Sequence, residues 1–244
     1  MVITPMNAVG LALLGLILCA IVGLYLALHK KPQMYRRDVL LALCLINAVY
    51  LLLYKAYILW IDPTYHTGFW YELPLQLCNA ITYLLIIGIA LGSRAVLLFC
   101  FYCGVLSAPL TILMPDERFV GNSIFLLRNI GYYGTHAMLM ISVVSLVTLG
   151  VYEPRYRDVP KALASLLLYG SVTFLFNLWL RNTVAPNANY CYLFQPNGSA
   201  VLEALYSLTQ GPYTYLFPVL LPGGMAMYLI TALYRLCAKA KRTA

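Results

Sequence analysis

Residues 7–28 read NAVGLALLGLILCAIVGLYLAL, 22 positions without a charge. A membrane-spanning helix needs about 20 predominantly apolar residues, and the stretch has no period-two alternation that would argue a strand. No basic segment precedes it, so it is expected as a retained span rather than a cleaved signal. Working outward, six more runs of the same kind follow: Val39–Trp60, Leu73–Leu91, Arg94–Met114, Ile124–Val151, Ala162–Val184 and Pro212–Leu236. Only the tight turn Leu91-Gly92-Ser93-Arg94 divides the third from the fourth. Hydrophobic residues make up 62% of the 244-residue chain and charged residues 10%, against about 25% charged in soluble domains. These values exclude disorder, a collagen repeat and a secreted disulfide scaffold. The expected fold is all-α, a polytopic bundle of seven transmembrane helices. With no linker and no internal repeat, it forms one membrane domain over residues 1–244.

The formal net charge is +8. In a soluble chain that balance suggests nucleic acid; here it reads as topology, and no nucleic-acid partner is expected. Lys30, Lys31, Arg36 and Arg37 lie in the first connection, Arg94 in the third, Arg155, Arg157 and Lys161 in the fifth, and Arg235, Lys239, Lys241 and Arg242 in the tail. In a seven-span chain all of these fall on one side. The positive-inside rule then puts the N-terminus outside and the C-terminus in the cytoplasm. The expected location is a cell membrane, multi-pass, with a bacterial cytoplasmic membrane favoured. On the outer side, Ile61–Glu72 carries Tyr65, Phe69, Trp70 and Tyr71, residues suited to an interfacial belt. The long sixth connection, about 185–211, places Val201, Leu202, Leu205 and Leu208 at helical spacing, which fits an interfacial or re-entrant helix. It also holds the formal glycosylation sequon Asn197-Gly198-Ser199. Pro218, Pro222, Gly223 and Gly224 predict a break in the last span.

Ionisable groups within spans are costly and mark function by default. Lys55, Arg128 and Arg181 stand near the outer ends of spans two, five and six. They either snorkel to the interface or ring a vestibule for an anionic headgroup, unless Asp116, Glu117 and Glu203 neutralise them. His136 lies twelve residues into span five, near mid-membrane, with Arg128 and Tyr132 on the same face at spacings of four. Ser165, Tyr169, Thr173, Asn177 and Arg181 repeat that spacing on span six, as helix–helix hydrogen bonding or as a cavity wall. Tyr50, Tyr54 and Tyr57 offer another wall. The seven Cys have no metal spacing, and most read as small core residues. Cys78 differs. Pro74 suits the first turn of a helix, which would put Cys78 near an electropositive helix start that favours a thiolate. Cys78 and His136 on facing helices would make a nucleophile–base pair, although their depths differ by about 5–9 Å on these boundaries.

The stretch Leu73–Cys78, LPLQLC, resembles the LPLHLC-type signature of the bacterial YwaF integral membrane proteins. Cys103–Ala108 followed by Pro115-Asp116, Thr135-His136-Ala137, Asn189–Leu193 with Pro196, and Gly211-Pro212-Tyr213 resemble further motifs of that group, in order over about residues 70–215. The group is in turn similar to the transmembrane protein 164 family. That resemblance implies a multi-pass lipid acyltransferase with a Cys nucleophile and a His partner, at Cys78 and His136. Gln76 stands where the pattern has His, and Ala137 where it has Gly. The leading expectation is therefore acyl-chain chemistry on a phospholipid or lysophospholipid in the outer half of the bilayer. Lys55, Arg128 or Arg181 would hold a phosphate or carboxylate, Tyr132 would line the site beside His136, and Asn79, Asn177 or Tyr190 would donate to the oxyanion. Two alternatives stand beside it: a transporter or solute-binding protein with a polar intramembrane cavity, and a non-catalytic membrane subunit. No cofactor and no metal are expected, and no Lys lies mid-span in the seventh run for a retinal Schiff base.

Overall fold

The computed structural model describes residues 2–62, 68–196, 200–209 and 211–243. Tyr65 and the sequon Asn197–Ser199 lie outside the described residues. Eight α-helices are present among the described residues: α1 Ala8–Leu28, α2 Gln33–Trp60, α3 Leu77–Leu91, α4 Arg94–Leu113, α5 Leu127–Thr148, α6 Val159–Thr183, α7 Ala200–Thr209 and α8 Leu220–Thr243. An isolated backbone bridge, Val2 to Ser123, ties the N-terminal segment to the α4–α5 connection.

Six of the helical segments are long and apolar enough to cross a membrane. The seventh expected span is shorter. α3 has 15 residues, about 22 Å at 1.5 Å per residue, against about 30 Å of hydrocarbon. The structure thus shows a helical membrane protein with six candidate spans and a further short apolar helix, α3, where the seventh was expected. The expected start at Leu73 is displaced to Leu77 by tertiary hydrogen bonds. Tyr169 of α6 donates its hydroxyl to the Leu75 carbonyl at 2.7 Å, and the Gln76 side-chain oxygen accepts from the Cys191 amide at 2.9 Å. Pro74 is consequently in the approach to α3 and not in its first turn.

The exterior is apolar and the interior mixed. Leu16, Leu52, Leu168 and Leu221 are exposed, whereas Asn47, Asn129, Ser142, Ser145 and Thr231 are buried. This is the distribution expected where lipid, not water, surrounds the bundle. α2 through α5 form the centre, with α1 against α5 and α4 on one side and α6 and α8 on the other. Small residues set the close approach of α2 to α5: a Cβ placed on Gly131 would come within 2.1 Å of the Tyr54 ring, and one on Gly134 within 2.6 Å of Tyr50.

Helix ends are fixed by local chemistry. Asn7 caps α1 by accepting from the Gly10 amide at 2.9 Å. Gly92 ends α3 in the left-handed region at φ +62°, and the Ser93 amide returns to the Gly88 carbonyl at 3.0 Å. Arg37 of α2 donates to the last carbonyls of α3, Ile89 at 3.1 Å and Ala90 at 2.8 Å; α2 starts at Gln33, directly after Pro32, and so draws part of the basic connection into the helix. The break expected in the last span is a 3₁₀ turn, Thr214–Val219, containing Pro218 and leading into α8.

Candidate active site

The Gly92 turn gives α3 and α4 a common end. α4 has 20 residues and α3 has 15, so α3 stops about 8 Å short of the far end of α4. That recess is a cavity of about 260 Å³. Tyr54, Lys55 and Ile58 of α2 line it, with Leu77, Cys78 and Asn79 from the first turn of α3. Ser107 and Thr111 of α4 and Tyr132 and His136 of α5 close the other side, and Cys191 and Tyr192 of the sixth connection cover it. The late start of α3 brings Cys78 and His136 to one cavity despite their different depths on the sequence boundaries.

Cys78 donates its thiol to Ser107 Oγ at 3.4 Å and has Thr111 Oγ1 at 3.8 Å. His136 Nδ1 lies 2.7 Å from the Tyr132 carbonyl oxygen one turn earlier. A carbonyl only accepts, so Nδ1 carries the proton and Nε2 of the neutral ring keeps its lone pair. The ring is held by Tyr132, centroids 4.6 Å apart, and Tyr132 stacks on Phe119 at 4.0 Å. Cys78 and His136 share the cavity without a hydrogen bond between them, so a proton passes between them only across whatever occupies it. Asn79 is 7% exposed, lines the same space and has no side-chain hydrogen bond among the described residues.

Charge collects at the rim. Lys55 forms an ion pair with Glu72. Arg118 binds Asp116 in a fork, Nε to Oδ1 at 2.8 Å and Nη2 to Oδ2 at 3.2 Å, and its Nη1 lies 3.9 Å from Glu72. Tyr192 donates its hydroxyl to Asp116 at 3.0 Å. Burial raises the Asp116 carboxyl, but the Arg118 hydrogen bonds and charge outweigh it and hold the group below its ordinary value. A depressed carboxyl contributes stability above its unfolded pKa and loses it as pH falls through the folded one, so this strap is intact at neutral pH. Burial and the neighbouring Asp116 carboxylate push the Tyr192 phenol up, which keeps it protonated as the donor.

Of the residues singled out in the sequence, Cys78, His136, Lys55, Asn79 and Tyr132 are brought together here. The others have different positions. Asn177 is fully buried and clasps the Tyr190 backbone from both sides, donating to its carbonyl at 3.0 Å and accepting from its amide at 2.9 Å. Tyr190 donates its hydroxyl to the Trp70 carbonyl at 2.7 Å and accepts from the Leu73 amide at 2.9 Å. Arg181 donates to the Ala188 carbonyl at 3.0 Å and stacks over Phe194 at 4.6 Å. Asn177 and Arg181 fasten the sixth connection to α6, Tyr190 fastens it to the second connection, and none of the three is among the cavity walls. Arg128 is not among the cavity walls, and the second cation beside Lys55 is Arg118. Ser107, Thr111 and Glu72 are not expected from sequence as wall residues, and Asp116, expected as a neutraliser of Lys55, Arg128 or Arg181, pairs with Arg118 while Glu72 pairs with Lys55. Cys103, Ser107 and Thr111 stand four apart on α4, a spacing that marks one helix face and was a usable signal.

The clasp carries a prediction. Asn177→Ala strands a buried amide and carbonyl of Tyr190, each worth about 1–3 kcal/mol. Limited proteolysis is expected to cut residues 185–196 faster in the variant, with a lower melting temperature.

Fold and site together define a polytopic helical membrane protein with a polar cavity, walled by a Cys and a His, recessed at one end of the bundle. The chain belongs to the TMEM164 family, whose profile matches residues 3–232. That match does not bear on the narrower YwaF name that the motifs suggested. No match exists among curated proteins or among solved structures.

Proposed function

We propose that the protein transfers acyl chains between membrane lipids by way of a thioester on Cys78. The observation that carries this reading is the shared cavity, with the lone pair of His136 Nε2 freed by the Nδ1 contact to Tyr132. An ester carbonyl of a phospholipid enters the cavity, and Cys78 Sγ attacks it. The S–C bond forms as the thiol proton passes across the occupied cavity to His136 Nε2, and the Asn79 carboxamide donates to the developing oxyanion. The C–O ester bond then breaks, and His136 returns the proton to the leaving alcohol. A hydroxyl of a second lipid, such as a lysophospholipid, attacks the thioester and gives its proton to His136, which passes it to the departing thiolate. Electrons and protons balance without an oxidant or a cofactor. Lys55 and Arg118 at the rim are paired with Glu72 and Asp116, so they offer a headgroup N–H donors and not a net positive charge. The recess opens at the end of the bundle away from Arg37, Arg94 and Arg155, which the positive-inside rule assigns to the outer half of a cell membrane.

Intact-mass spectrometry of the detergent-purified protein after incubation with phosphatidylethanolamine tests this. An adduct of one acyl chain less one hydrogen is expected on wild type and absent from Cys78→Ala. Bound lipid with no covalent adduct on either protein would leave Cys78 a structural thiol and end the acyl-enzyme mechanism.

A further inference from the structure

A second cavity, apolar and about 270 Å³, lies beside the first. Leu77, Ser107 and Cys191 line both. Ser107 is the residue that accepts the Cys78 thiol hydrogen bond, so the wall between the two spaces is one side chain thick at that sulfur. The cover over that wall is conformationally expensive. Cys191 and Tyr192 are consecutive non-glycine residues in the left-handed region, both at φ +56°. Such a pair persists only when its surroundings over-determine it. Gln76 holds the Cys191 amide, Asp116 holds the Tyr192 hydroxyl, and Tyr215 donates to the Tyr192 carbonyl.

From that wall the groove runs between α4, α6 and α8. Leu110 and Phe217 line it and are also 57% and 45% exposed on the outside of the bundle. The groove therefore opens sideways to the surroundings of an apolar exterior, which is lipid. Leu220, Gly223 and Met227 follow at helical spacing along α8 and present one face to it. A Cβ added to Gly223 meets nothing within 4 Å, whereas the neighbouring Gly224 is already packed against Leu163. The space opposite Gly223 is thus open groove.

We infer that this groove holds the acyl chain of a bilayer glycerolipid whose ester carbonyl lies at Cys78, and that Gly223 leaves the room that admits long chains. The inference rests on the thioester reading for the position of the carbonyl. A chain entering from the side stays in apolar surroundings throughout, while the polar rim takes the headgroup. A Cβ at position 223 meets no protein within 4 Å and Gly223 lines the groove but not the catalytic cavity, so a larger side chain there shortens the groove away from Cys78.

The test uses phosphatidylethanolamine carrying single chains from C10 to C20, with wild type, Gly223→Ala, Gly223→Leu and Gly223→Phe. Gly223→Phe is expected to lose adducts of the longest chains by about tenfold or more while keeping those of the shortest, since a pocket discriminates by about tenfold or more per methylene it cannot accommodate. Gly223→Leu is expected between Phe and wild type, and Gly223→Ala close to wild type. An unchanged chain-length profile in both larger variants overturns the inference. A second readout needs no transfer: phosphatidylethanolamine with a diazirine at the chain terminus is photolysed on wild type and the labelled peptides are mapped. Label in α8 around Leu220–Met227, suppressed in Gly223→Phe, supports the groove even if no adduct forms, in which case the thioester reading alone fails. Label elsewhere on the bundle overturns the groove.

Discussion

His136→Ala is expected to lower the rate of acyl-enzyme formation by about 10²–10⁴-fold, the usual contribution of a positioned general base. The variant removes the acceptor of the thiol proton and leaves Cys78, Ser107 and Thr111 in place. Added imidazole should restore part of the rate, because the deletion leaves a ring-sized space beside the 260 Å³ cavity. A buried histidine with only a packing role would show no such rescue. Cys78→Ala and the double variant should fall to the same floor as each other, since groups that act as one unit are not additive. Full adduct formation by His136→Ala would remove the base from the mechanism. Loss of adduct without imidazole rescue, together with a lowered melting temperature, would assign His136 to packing.

Gly131→Ala should be the most damaging single methyl group in the bundle. The added carbon would lie 2.1 Å from Tyr54 Cδ2, far inside van der Waals contact, and Tyr54 is 7% exposed with little room to turn. Overpacking of this kind costs about 1–3 kcal/mol and sometimes more. Because Tyr54 also lines the cavity, adduct formation should fall together with thermal stability. Tyr54→Ala in the same chain makes the space, so the double variant is expected to be more stable than the sum of the two losses. Additive losses in that cycle would mean that Gly131 and Tyr54 do not meet.

The helical membrane class was legible because uninterrupted apolar length is a signal that tertiary structure rarely overrides. The start of α3 was not. Leu73-Pro74-Leu75-Gln76 is apolar and carries a proline suited to a first turn, yet its carbonyls and side chains are claimed by Tyr169 and Cys191, residues more than 90 positions away. The stripe ending at Asn177 and Arg181 was visible as polar spacing, but spacing cannot tell a cavity wall from a clasp: both demand buried polar groups on one helix face. Lys55 was recognisable as a costly charge. Its partner Glu72 lies in a connection whose path no periodicity describes, and the same holds for Arg118 and Asp116. The association of Cys78 with His136 was a conjecture from residue type; what places both on one cavity is the difference in length between α3 and α4, a property of two helices jointly.

That difference in length has a physical result for the lipid. α3 packs against α2, α4 and α5, and the sixth connection covers the recess at its start, so its missing residues are compensated by protein and demand no thinning of the surrounding bilayer. What remains is a pit whose floor lies about 8 Å below the rim, near the level at which glycerol esters join their hydrocarbon. A lipid meeting such a pit has to tilt but not climb: its ester descends to the floor while its tail stays among other tails. The work of extracting a molecule from the membrane, which a reaction centre standing above the surface would have to supply, does not arise.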